Sequence, residues 1–515
     1  MRKIVDFKYS GSSDGSLTKR EIRGAELARR AAAEGMVLLK NEGGLLPLSK
    51  ENSLALLGGG AVYTIKGGTG SGDVNERKSV SIWEGLTAAG ADIVSEPWLK
   101  DYEERYALAR ETWRDLILAG ANEDGQDFFD MYSTHPFIFP EGRPVSISDI
   151  TGADAAVYVI SRIAGEGIDR VPAEGDYYLT EGEKRDIEFL NESNIPVILI
   201  INAGGPVEIT SISGLPCVRS IIFIAQAGQE GGNALADILF GKVNPSGRLT
   251  ATWAAKYSDY PNAETFSGLS GDVTKEHYSE GIYVGYRYFD TFGVKPLYNF
   301  GHGLSYTSFE YRDVKVSHDK GVFVDARIVN TGDAAGKEVV QVYISCPQIG
   351  MDNEKRRLAG FAKTKDTLPG EAEEIRIEIS PKNFASFNEE KGAWVIEAGE
   401  YGIWIGGSLD SAELCCVAVQ NEEVILERTD HICPIQEELI ELLPGKMPEA
   451  EQGLLCSDAS VPRIKTNFTV CDEKRPDLNE NETGRAAAET VAKLSAREWI
   501  PLLAGEISRN QNVIG

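Results

Sequence analysis

The sequence predicts an α/β sandwich with a mostly parallel sheet, followed by an all-β antiparallel sandwich. Over about the first 300 residues, short apolar runs alternate with stretches of helical period, as in a sheet covered by helices on both faces. After about Tyr311 the strands follow one another without helices, at the regular spacing of an antiparallel sandwich of roughly 100 residues. Glycine is abundant, 54 of 515 residues, which suits tight turns and backbone-lined loops rather than long rods. That length allows about three domains of roughly 150 residues.

A first helix is predicted over 17–40, because Ile22, Ala25, Ala28, Ala32, Met36 and Leu39 recur at three- and four-residue spacing. Residues 54–57, 155–160, 196–201 and 220–224 read as buried strands: apolar, too short for helices, and bounded by Gly, Pro or Asp. Helical stretches fall near 102–118, 181–191 and 230–240, and Thr180 with Glu183 has the spacing of a capping box at the start of the second. The later strands are 314–316, 322–328, 338–344, 374–379, 393–396 and 401–405. From these periods the chain divides into an N-terminal segment at 1–16, the α/β layer at 17–310 and the β-sandwich at 311–419. A proline-punctuated acidic connector at 420–483 and a helical stretch at 484–515 complete it.

Asp and Glu outnumber Lys and Arg by 79 to 52, a formal charge of −27. Such a field repels phosphate backbones, and no basic face offsets it, so nucleic acid is not an expected partner. No apolar run approaches the roughly 20 residues of a membrane span, and the N-terminus has no secretory h-region. Seven scattered cysteines without zinc spacing read as reduced thiols of a cytoplasmic protein. The histidines (135, 277, 302, 318 and 431) have no ligand spacing, so no metal and no cofactor are expected. No G-x-S-x-G elbow follows any of the buried strands, which disfavours a serine hydrolase.

Two loops could carry chemistry. The strand at 155–160 runs into Ser161-Arg162-Ile163-Ala164-Gly165-Glu166-Gly167-Ile168-Asp169-Arg170. A carboxylate between two glycines beyond a buried strand is placed to approach a substrate, and partial desolvation would raise its pKa toward that of a general acid. It can equally be a turn carboxylate paired with Arg162 or Arg170. The loop at 67–75 (GGTGSGDVN) fits neither a dinucleotide fingerprint nor a Walker loop, and Asp73 would oppose a phosphate. Thr69, Ser71 and Asp73 suit a neutral polyol, with a wide structural turn as the alternative. The aromatic stretch at 283–311 can stack on sugars or pack a domain junction.

Six ordered segments together resemble glycoside hydrolase family 3, the β-glucosidase and β-xylosidase group. They are AEGMVLLKN at 33–41, the 67–75 loop, GEGxDR at 165–170, NPSGRL at 244–249, EGIYVGYRY at 280–288 and FGHGLSY at 300–306. The resemblance implies the family's α/β sandwich domain and a fibronectin type III-like domain across about 17–419. It also implies a retaining mechanism, in which an aspartate nucleophile on a (β/α)8 barrel works with a glutamate acid/base on the α/β sandwich. Glu166 falls where that acid/base falls. Most members place the barrel first, whereas about sixteen residues precede the sandwich here. Other members place it last, and the tail at 493–505 resembles the helix that opens it. No nucleophile motif follows; Ser457-Asp458 is followed by Ala459 and does not match.

The expectation is therefore the acid/base-bearing part of a retaining exo-β-glycosidase acting on terminal non-reducing β-linked sugars. Its substrate would be a small β-glycoside, glucoside or xyloside. Its partner would be a barrel-bearing polypeptide or second subunit, without which this chain is inactive or nearly so. A non-catalytic carbohydrate- or partner-binding module, or a remnant of such an enzyme, is the alternative.

Overall fold

The computed structural model describes residues 15–69, 72, 74, 76–123, 128–165, 169–272, 274–319, 321–429, 440–444, 460–468, 489 and 493. The chain forms two units, Arg20–Phe468 and Met1–Lys19 with Thr469–Gly515. The described part of the second is 15–19, 489 and 493, so nearly all of the stretch expected to open a barrel lies outside the described residues.

The larger unit begins with α1, Lys19–Gly35, followed at once by β1, Val37–Asn41. The helix expected to reach residue 40 thus stops five residues early. Gly35 is a poor helix former, and Val37, Leu38 and Leu39 gain more as a buried edge strand (2%, 0% and 2% exposed) than as a sixth helical turn. β2 (Ser53–Leu57) leads through α2 (Gly59–Val62) and α3 (Ile82–Ala88) to the short β3, Asp92–Ile93. The long α4 (Glu96–Glu123), α5 (Phe128–Thr134) and α6 (Ile147–Ile150) precede β4, Ala155–Arg162, two residues longer than its apolar run. α7 (Glu181–Glu192) starts at the expected capping box, with Thr180 and Glu183 exchanging both bonds. β5 (Val197–Ala203), α8 (Thr210–Ser213), β6 (Val218–Phe223) and α9 (Gly231–Leu239) complete the layer.

Among the described residues these strands form one sheet in the order β1-β6-β5-β4-β2-β3. Every neighbouring pair is parallel except β1 with β6. The central strands are buried on both faces, Val157, Ile160, Ile198, Ile200 and Ile201 being 2% exposed or less. Each such aliphatic side chain contributes about 1.5–3 kcal/mol by leaving water. This is why the runs at 155–160 and 196–201 carry no alternation.

The second layer comprises β7 (Phe309–Asp319), β8 (Gly321–Asn330), β9 (Val339–Ser345), β10 (Arg357–Lys363) and β11 (Ala372–Ile379). It continues with β12 (Ser386–Asn388), β13 (Ala393–Ile396), β14 (Gly399–Gly406) and β15 (Glu413–Gln420). β16 (Val424–Arg428) and β17 (Arg463–Thr466) lie within the stretch expected as a connector. The described strands form sheets β10-β9-β14-β15-β17, β11-β8-β7 and β12-β13-β16 around a second core. β17 departs from the antiparallel expectation by joining β15 in parallel, where it brings Phe468 into that core. The aromatic stretch at 283–311 packs the junction of the layers: Tyr286 stacks on Phe300 at 4.6 Å and meets Tyr343 edge-on.

Candidate active site

The strand order has one topological switch. From β2 the chain moves outward to β3, whereas from β4 it moves the other way to β5 and β6. In sheets of this kind ligands gather at the carboxyl ends of the two strands flanking the switch, here β2 and β4. Both loops singled out from the sequence leave from those two ends.

After β2 the backbone turns on Gly58, at φ +87°, where a Cβ would lie 2.2 Å from the Val159 carbonyl oxygen. This glycine lets α2 settle against β4. The loop is then tied down at Ile65, whose N–H donates to Asn202 Oδ1 (2.7 Å) while Asn202 Nδ2 donates to its carbonyl (2.9 Å). Asn202 also donates to the Ala225 carbonyl (2.7 Å) and accepts from Ser161 Oγ (3.2 Å). One buried amide at the end of β5 therefore fixes the exits of β2, β4 and β6. Sequence reasoning missed it, although a polar residue directly after the run 196–201 was a signal.

Farther out, the two loops touch through their backbones. A Cβ on Gly68 would lie 2.3 Å from the Ala164 carbonyl oxygen, and one on Gly165 would lie 2.0 Å from Thr69 Oγ1 and 2.3 Å from its nitrogen. Glycine at 68 and 165 is what permits this contact. Thr69 thus abuts the residue that precedes Glu166. Glu166 itself lies outside the described residues, as do Ser71 and Asp73.

The arms of the Glu166 loop are held by ion pairs. Arg162, 4% exposed, forms a two-pronged pair with Glu183 (2.6 and 2.8 Å) and donates to the Ser161, Asp176 and Tyr178 carbonyls. Arg170 pairs with Asp176 Oδ1 (2.6 Å) and donates to the Pro206 carbonyl, while Asp176 Oδ2 accepts from the Val171 N–H. Among the described residues, Arg162 and Arg170 are paired with Glu183 and Asp176. Gln226 Nε2 donates to the Ala164 carbonyl (3.1 Å), and Ser267 Oγ donates to Asp169 Oδ2 (2.7 Å). Nearby, burial pushes the Asp186 carboxyl above its ordinary value, and burial with the adjacent Asp186 raises the Tyr158 phenol well above its own.

The profile described as the glycosyl hydrolase family 3 C-terminal domain matches residues 36–286, and a fibronectin type III-like domain matches 338–409. The chain thus carries the C-terminal domain of glycosyl hydrolase family 3. The family 3 layer ends beyond the Glu166 loop, and the second core carries the fibronectin-like match.

Beta-glucosidase A of Butyrivibrio fibrisolvens is 33% identical over 500 residues, covering 87% of this chain and 57% of that protein. Thermostable beta-glucosidase B of Acetivibrio thermocellus is 35% identical over 387 residues, covering 74% and 46%. Among solved structures, beta-glucosidase 3B from Thermotoga neapolitana in complex with alpha-D-glucose superposes with a TM-score of 0.69 at 40% identity, covering 79% of this chain and 55% of that one. The chain spans about half the length of the curated relatives it matches. Among the described residues no helix is long and apolar enough to cross a membrane.

Proposed function

We propose that this chain supplies the acid/base part of a retaining exo-β-glycosidase that hydrolyses terminal non-reducing β-linked sugars, with Glu166 as the acid/base. The carrying observation is the backbone contact of Gly68 and Thr69 with Ala164 and Gly165 at the sheet's switch point. Glu166 would protonate the glycosidic oxygen as the leaving group departs, then take a proton from the water that hydrolyses the glycosyl-enzyme. Thr69, with Ser71 and Asp73, would hydrogen-bond the sugar's hydroxyls. The relatives, named beta-glucosidases, support a β-glucoside as substrate.

The nucleophile belongs, in this reading, to a barrel outside these residues, on a second subunit or polypeptide. A retaining pair needs its carboxyl groups about 5–5.5 Å apart, so the barrel would dock over the loop. Exposed apolar side chains around it support such a face: Ile163, Val171, Phe266 and Leu269 are each 38–46% exposed. A cytoplasmic setting belongs to the same reading, supported by the free thiols of Cys217, Cys346, Cys415 and Cys416.

The test is hydrolysis of 4-nitrophenyl and methyl β-D-glucosides and β-D-xylosides. The chain alone should stay at background, and a barrel-bearing family 3 polypeptide should restore turnover. In the restored enzyme Glu166→Gln should cost about 10²–10⁴-fold on the methyl glycosides and less on aryl glycosides, whose leaving group needs little protonation. Normal turnover by the chain alone would place the nucleophile within it. An unchanged rate in the Gln variant would leave a binding module.

A further inference from the structure

A cavity of about 460 Å³ opens beside the switch point, between the carboxyl ends of β2 and β4 on one side and segment 136–142 on the other. That volume lies within the roughly 300–1,000 Å³ of small-molecule sites. We propose that it binds a small uncharged sugar, with the Tyr102 hydroxyl as its central hydrogen-bonding group.

Tyr102 carries the inference. Its ring is 2% exposed and stacks on Trp98 at 5.7 Å with the planes 5° apart. Its hydroxyl reaches over Gly59, where a Cβ would come within 2.2 Å of it. Among the described residues that hydroxyl has no hydrogen-bond partner, yet it lines the cavity. The ring is buried but the hydroxyl opens on the cavity, so its partner is whatever fills that space, and phenylalanine would pack the ring equally well. Tyrosine at 102 therefore suits a ligand better than it suits the core. The phenol is held far above its ordinary value by burial, so at neutral pH it is a donor as well as an acceptor.

The charges favour a neutral occupant. The guanidiniums at the cavity, Arg162 and Arg185, are paired with Glu183 and Asp186, and with Glu141, Glu174 and Asp176 also lining it the wall is net acidic and unfavourable to an anion. Asp176 is likewise taken by Arg170. Nor is an aromatic box open to a cation: Trp98 and Tyr102 face each other, and Arg110 already lies 4.9 Å over Phe137. What remains is Tyr102, Glu141 (whose other role is to accept from the Gly182 N–H), the exposed Glu174 and the half-buried Phe139. Acceptors, one donor and an apolar edge are the complement of a sugar's hydroxyls and C–H face.

The binding needs neither Glu166 nor any residue outside this chain, so this inference and the hydrolase reading fail separately. The experiment is titration of the full chain with D-glucose, followed by calorimetry and saturation-transfer NMR, with inorganic phosphate, choline and 4-nitrophenol as the other arms. Saturable glucose binding is expected, about fivefold to tenfold weaker in Tyr102→Phe. The thermal midpoint of that variant should be unchanged or higher, which a structural tyrosine would not allow. Phe139→Ala provides a second readout and should also weaken binding. Any of four results overturns the proposal: no saturable glucose binding, wild-type affinity in Tyr102→Phe, preference for one of the other three probes, or an equal loss in Glu166→Gln.

Discussion

Asn202 ends a strand of aliphatic side chains, and its amide does what none of them can. It accepts from Ile65 and Ser161 and donates to Ile65 and Ala225, across sequence separations of up to 137 residues. Replacing it with alanine would leave a buried N–H and two carbonyls without partners. Asn202→Ala should therefore cost about 2–4 kcal/mol in urea denaturation, with the loop exits loosened in hydrogen exchange. A loss below about 0.5 kcal/mol would mean water replaces the amide. Glu166 stood out as a candidate because two glycines flank it after an apolar run, with a paired turn carboxylate as the alternative until the family resemblance pointed to an acid/base. Asn202 and Tyr102 did not, since their importance lies in partners, or in the lack of them, far along the chain.

At the scale of the element, α1 shows how little apolar contact can hold a helix. Ala33 is its one buried residue, and Ile22 and Leu27 remain exposed. Ion pairs do the rest. Arg29 grips Asp237 at 2.5 and 2.7 Å, and Glu34 takes Lys337 and Lys363 from the second layer. Burial alone would raise the Glu34 carboxyl, but the two lysines outweigh it and hold it below its ordinary 4.5. Asp237, likewise buried, is held below 3.8 by Arg29 and Lys242. A carboxyl depressed in the fold contributes stability above its unfolded value and loses it as pH falls through the folded one. Glu34→Gln should thus be less stable at neutral pH and show a shallower decline in urea midpoint below about pH 4.5. Midpoints that fall in parallel with the wild type down to about pH 3 would show that Glu34 contributes nothing there.

At the scale of the whole molecule, the two cores are joined by buried polar contacts. Arg248, from the NPSGRL segment, pairs with Glu338 at 2.9 Å, with both side chains 10% exposed or less. Tyr311 donates to the same carboxylate at 3.0 Å, and Gln341 donates to the Gly301 carbonyl. Among the described residues one nitrogen of Arg248, Nε, has no partner. Glu338→Ala would strand the guanidinium and should cost about 3–5 kcal/mol. Calorimetry should show one shifted transition if the layers unfold together. Two transitions, with only the later layer shifted, would mean that the junction does not couple them.

Local pattern was enough to determine much of this protein. Alternating apolar runs and helical periods gave the parallel layer, regularly spaced short strands without helices gave the sandwich, and the Thr180 capping box marked the start of α7. These signals are short-range because burial period and capping act within a few residues. Tertiary structure decided what depends on distant partners. It set β1 as an antiparallel strand rather than helix, because the edge beside β6 was open to it. It placed β17 in parallel beside β15, and it ordered the strands so that the switch falls between β2 and β4. Packing compares whole arrangements of apolar surface and paired polar groups, and no window of sequence contains that comparison.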